Sequence, residues 1–95
     1  MHAIANETIF DRTTWVVVRP QKGSYLFYNS RTDELHLIPP TGHAIYELCD
    51  GLSTVDDIRD RVSKALDAEP AVLRERLKGF LGALEARGLV ERADA

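Results

Sequence analysis

The hydrophobic rhythm of the chain changes once. From Thr13 to Ile38 the apolar positions are β-branched or aromatic and come in short runs broken by turn formers, whereas from Thr41 to Val90 they recur about every 3.6 residues. The first half predicts three strands. Thr14–Arg19 is closed by Pro20 and the turn pair Lys22-Gly23, Tyr25–Tyr28 follows, and Glu34–Ile38 is stopped where Pro39-Pro40 removes two backbone donors. Asn29-Ser30-Arg31-Thr32-Asp33 has the length and composition of a hairpin loop. Connections this short predict an antiparallel meander.

Three helices follow in the pattern. Thr41 is a candidate cap for the first, which runs through Ala44, Ile45 and Leu48 to Gly51, a residue suited to a left-handed terminus. Ser53 or Thr54 caps the second, with Asp56 or Asp57 three positions on, and its apolar stripe is Val55, Ile58, Val62 and Leu66. Pro70 opens the third, which ends at Gly88 and carries Leu73, Leu77, Phe80, Leu81 and Leu84 on one stripe. Leu89-Val90 then returns to the core. No repeat or internal linker separates the halves, so they share one core in an α+β fold, a three-stranded antiparallel sheet followed by three helices. Residues 1–12 read as an N-terminal tail, 13–90 as the domain and 91–95 as a C-terminal tail.

Composition narrows the function classes. Ninety-five residues, 44% hydrophobic and 28% charged, suit one soluble domain. The longest apolar runs fall far short of the ~20 residues a membrane-spanning helix needs, and no signal peptide is visible, so a cytoplasmic location is expected and no membrane partner. A net charge of −3 counts against nucleic acid. His2, His36 and His43 lack the spacing of a metal-binding helix, one cysteine cannot complete a zinc set, and no glycine-rich loop precedes a helix, so no metal or cofactor is expected. Cys49 sits among apolar neighbours as a small core residue, and Asp56, Asp57 and Asp60 stand where a helix dipole favours acids. No catalytic set converges.

Two features favour binding instead. The third strand is an edge of the meander, with Leu35 and Leu37 on one face and Glu34, His36 and Ile38 on the other, so that apolar side chains stand on both faces of an edge able to accept an added peptide strand. The third helix has an apolar stripe bordered by Arg74 and Lys78 on one side and by Arg76 and Arg87 on the other, and its far side is small: Gly79, Gly82, Ala83 and Ala86. The same elements also resemble a winged-helix arrangement with the third helix as reader. A small winged-helix DNA-binding regulator is therefore the alternative, with salt-sensitive duplex binding as its mark. A structural subunit that self-associates through the edge strand is a third reading, expected to show as a dimer without any peptide, whereas the chain is otherwise expected to be a monomer or weak homodimer.

Leu37-Ile38-Pro39-Pro40-Thr41-Gly42-His43-Ala44-Ile45-Tyr46-Glu47-Leu48-Cys49-Asp50-Gly51 resembles the corresponding stretch of the PqqD-like family, a strand end followed by an apolar helix closing on Asp-Gly. Ser53-Thr54-Val55-Asp56-Asp57-Ile58 is similar to the family's Thr-Val-x-x-Ile segment, and Phe80-Leu81-Gly82-Ala83-Leu84 with Gly88-Leu89-Val90 to its closing helix and tail. The likeness covers about residues 13–90. It implies a winged-helix-like, non-catalytic recognition element that holds the leader of a ribosomally made precursor peptide as a strand added to the third strand. It also implies presentation of that precursor to a tailoring enzyme such as a radical SAM protein, a ligase or a leader protease. Carried over residue by residue, the implied contacts are Glu34, Leu35, His36, Leu37 and Ile38 on the strand and Arg74, Leu77, Lys78 and Leu81 on the third helix. Simple alternation buries the two leucines of the strand; the resemblance turns them outward and His36 and Ile38 inward. Two departures stand out: Ile38-Pro39 replaces the family's Leu-Asn, and Arg76 occupies a position that is acidic in many members.

Overall fold

In chain order the elements are β1 (Ile9–Arg12), β2 (Val16–Gln21), β3 (Ser24–Asn29), β4 (Glu34–Ile38), α1 (Pro40–Glu47), β5 (Asp50–Thr54), α2 (Val55–Leu66), α3 (Pro70–Ala86) and β6 (Val90–Arg92). The computed structural model describes residues 3–67 and 69–93. The candidate ligand His2, with Met1 at the start of the first tail and Asp94 and Ala95 at the end of the second, lies outside the described residues.

The predicted meander is the sheet β2-β3-β4. Val17, Tyr28 and Leu35 stand side by side across it, as do Arg19, Leu26 and Leu37. Its first strand runs past Pro20 to Gln21, which β2 tolerates because it is an edge and its Pro lacks only a donor. Lys22 and Gly23, with φ of 44° and 82°, form the two-residue turn that matches strand twist and needs both central residues left-handed. The Asn29 side-chain oxygen accepts from the backbone N–H groups of Arg31 (2.9 Å) and Thr32 (3.3 Å), which fixes the second hairpin loop.

A second sheet, β5-β1-β6, was not expected from the sequence. Residues 9–12, read as tail, pair on both sides, and Phe10 is fully buried. One aromatic in a four-residue segment carries too little periodicity to be recognised. Residues 90–92, partly assigned to the other tail, are its third strand. Gly51 does not end a helix: α1 stops at Glu47, and Gly51, φ 80°, lies in β5, where the register with β1 shifts. Nor does Thr41 cap α1. Pro39 precedes the helix without a side-chain bond and Pro40 holds its first position, so a fixed φ does the work of a cap. The other boundaries follow the pattern. Thr54 and Asp57 complete a reciprocal capping box on α2, and Leu89 and Val90 are buried. Phe27, Ile38, Tyr46, Ile58, Leu77, Leu81 and Leu84 join both layers in one core.

Candidate functional site

The strand order leaves β4 unpaired along one side among the described residues. Its faces are sharply divided. Leu35 and Leu37 are 61% and 62% exposed, whereas Ile38 is 2% exposed and His36 turns inward opposite Phe27. This is the orientation the resemblance implied rather than the one simple alternation implied. Ile38 is held inward because it packs on the α1 backbone: a Cβ on Gly42 would lie 2.7 Å from Ile38 Cγ2. Among the described residues His36 Nε2 has no hydrogen-bond partner, and it lies 3.7 Å from a Glu34 carboxylate oxygen.

The end of helix α3 is fixed to the sheet that carries this strand. Asn29 Nδ2 donates to the Arg87 carbonyl (2.7 Å), while Trp15 Nε1 (3.0 Å) and Thr13 Oγ1 (2.8 Å) donate to that of Gly88. These side chains satisfy carbonyls that a helix end leaves without partners. Further along, Phe80 reaches α1, with its Cζ 2.8 Å from a Cβ placed on Gly42. Between Pro39 at the end of β4 and Arg76, Leu77 and Phe80 of α3 opens an apolar cavity of about 300 Å³, floored by Ile45, Val62 and Leu73. It shares the lining residues Thr41, Ile45, Val62 and Leu66 with a smaller hollow between α1 and α2.

Of the residues expected at the site, Ile38, Leu77 and Leu81 share the core, and Leu77 also lines the cavity, which none of Glu34 to Ile38 does. Leu81 is fully buried. Lys78 lies on the opposite flank of α3, in a hollow with Ala3, Ile4 and Gly82, and Arg74 is half-buried with its Nε unpaired. The α3 side chains that line the cavity with Pro39, which follows β4, are Leu73, Arg76, Leu77 and Phe80. A helical wheel shows two basic borders and cannot say which meets the strand. Gly42 was the available signal, since a glycine in the first turns of a helix marks a close approach, here by Phe80.

The described groups weighed for catalysis or metal binding have other engagements. Cys49 is fully buried and burial pushes its thiol up to about 12. Arg59 pairs with Asp56 and Asp60, each at 2.9 Å, and Asp57 is engaged in the capping box. His43 stacks on Tyr25 at 3.7 Å and meets Glu47, which also binds Arg12. No group of three or more His, Cys, Asp or Glu able to hold a metal occurs among the described residues. The exposed flank of α3 mixes Lys78 with Glu75 and Glu85, a poor match for phosphates. What the site offers is unpaired backbone beside an apolar hollow.

A family model described as PqqD, coenzyme PQQ synthesis protein D, matches residues 14–90. Among solved structures, TbiB1 in complex with the TbiA(beta) leader peptide aligns with a TM-score of 0.74 at 18% identity, over 85% of this chain and 94% of that one. At that identity the likeness is one of fold. No curated protein matches the chain.

Proposed function

The chain belongs to the PqqD family, and from that premise we propose that it is a non-catalytic recognition protein for the leader segment of a ribosomally made precursor peptide. The open β4 edge beside the cavity at Pro39 and Phe80 carries this reading. An extended peptide added to Glu34–Ile38 gains main-chain hydrogen bonds, which set register but are blind to sequence. Side chains then discriminate. An apolar residue of the leader fills the cavity between Pro39, Leu77 and Phe80, and Arg76 on its rim takes a leader carboxylate. Support comes also from the fold neighbour, which was solved with a leader peptide bound. Among the described residues no helix is long and apolar enough to cross a membrane. We place the protein in the cytoplasm, where ribosomal precursors are made.

Such a protein acts by delivery. Holding both the leader and a tailoring enzyme (a radical SAM protein, a ligase or a leader protease) converts their encounter into an intramolecular one and raises the effective concentration of substrate. The test is a titration of isotope-labelled protein with the leader half of its cognate precursor peptide. Amide shifts at Glu34–Ile38 and at Arg76–Phe80 are expected. No shifts at high peptide excess overturn the assignment; shifts at Arg74 and Lys78 without Arg76 move the peptide to the other flank of α3.

A further inference from the structure

The side of the meander that faces away from the core is a regular grid. Its first row is Val17, Tyr28 and Leu35 and its second is Arg19, Leu26 and Leu37. Val17 is 45% exposed, and the two β4 leucines are the more open still. Five apolar side chains and one cation therefore form a face that no described element covers, with a hollow between Val17, Arg19, Leu26, Tyr28 and Leu35. Asp33, in the loop that follows β3, accepts from the Tyr28 hydroxyl at 2.6 Å. Among the described residues Arg19 has no ion-pair partner.

We infer that this outer face is where the peptide-modifying enzyme docks, through an apolar patch bearing an acidic residue opposite Arg19. The inference rests on the leader-binding reading. Size and charge both select this occupant. Three strands ~4.8 Å apart and two rows ~6.8 Å apart span on the order of 200 Å² in plan, well short of the ~800 Å² per partner of a stable complex. A second copy laid face to face adds only the same small patch and opposes Arg19 with an apolar or like-charged surface. A leader strand paired to β4 adds a fourth column to the grid, because its own outward side chains fall in line with Leu35 and Leu37. An enzyme seated there covers protein and leader together, and so distinguishes the loaded carrier from the empty one.

The experiment uses the full chain, its cognate precursor and the peptide-modifying enzyme that acts on that precursor. Arg19→Glu, Arg19→Lys and Leu26→Ser are compared with the unaltered protein in leader affinity, precursor turnover and sedimentation. Leader affinity is expected to stay within about twofold, since these residues lie one or two strands away from the open edge. Turnover is expected to fall at least about tenfold with Arg19→Glu and Leu26→Ser and to be kept by Arg19→Lys. Unchanged turnover with leader binding intact overturns the docking surface. So does loss of leader affinity in Leu26→Ser, which gives the face to the leader itself, and so does a concentration-dependent dimer abolished by these substitutions. If the unaltered protein binds no leader, the underlying function falls and the docking surface with it.

Discussion

A methyl group at Gly42 would stand 2.7 Å from Ile38 Cγ2 and 2.8 Å from Phe80 Cζ, in the one place where β4, α1 and α3 meet. Neither neighbour is the loose end of a flexible chain, so the side chains have to move apart. Gly42→Ala is expected to cost about 1–3 kcal/mol in urea denaturation and to weaken leader binding, because Phe80 is displaced from the cavity wall. Cys49 makes a different prediction at the same scale. Burial raises its thiol from the ordinary 9.0 to about 12, so above pH 9 the unfolded chain releases a proton that the folded one keeps. Stability therefore falls as pH rises from 9 toward 12, by up to ~1.4 kcal/mol per unit. Cys49→Ala removes that part of the slope in denaturation curves taken across the range, and the native thiol reacts with an alkylating reagent at pH 8 only as fast as the protein opens.

Among the elements, those framed by strong local chemistry were legible. The strand Glu34–Ile38 lies between a hairpin loop and two prolines, and its limits match the structure residue for residue. The second helix was readable from a cap at Ser53 or Thr54 and the stripe Val55, Ile58, Val62 and Leu66, and Thr54 with Asp57 makes the cap. Thr54→Ala is expected to cost about 1 kcal/mol by urea denaturation while leaving leader affinity unchanged, since α2 touches the cavity only through Val62 and Leu66. What stayed hidden depends on partners distant in the chain. Asp50–Thr54 resembles a helix end followed by a cap, and becomes β5 because β1 supplies a ladder some forty residues upstream. The wall of the site was only half readable for a similar reason. Leu77 belongs to any reading of α3, whereas choosing Arg76 over Lys78 requires knowing on which side Pro39 arrives.

For the whole molecule, binding and folding are linked through mass action. A leader that binds only the folded chain, present at about one hundred times its Kd, adds ~2.7 kcal/mol to stability, which for a domain of this size raises the melting temperature by about 10–20 °C. A thermal melt with and without peptide checks this, and an unrelated peptide of equal charge is expected to produce no shift.

The three donors that hold the end of α3, Asn29, Trp15 and Thr13, all belong to the sheet or its entry. The position of α3 against the sheet is therefore set before any peptide arrives. With the receptor already ordered, nearly all of the entropy lost on binding comes from the peptide. Selection among precursors then falls partly to their stiffness. Of two leaders with equal contacts, the one already extended in solution binds more tightly, and a proline placed where the ladder needs no donor becomes an advantage to the substrate rather than a defect.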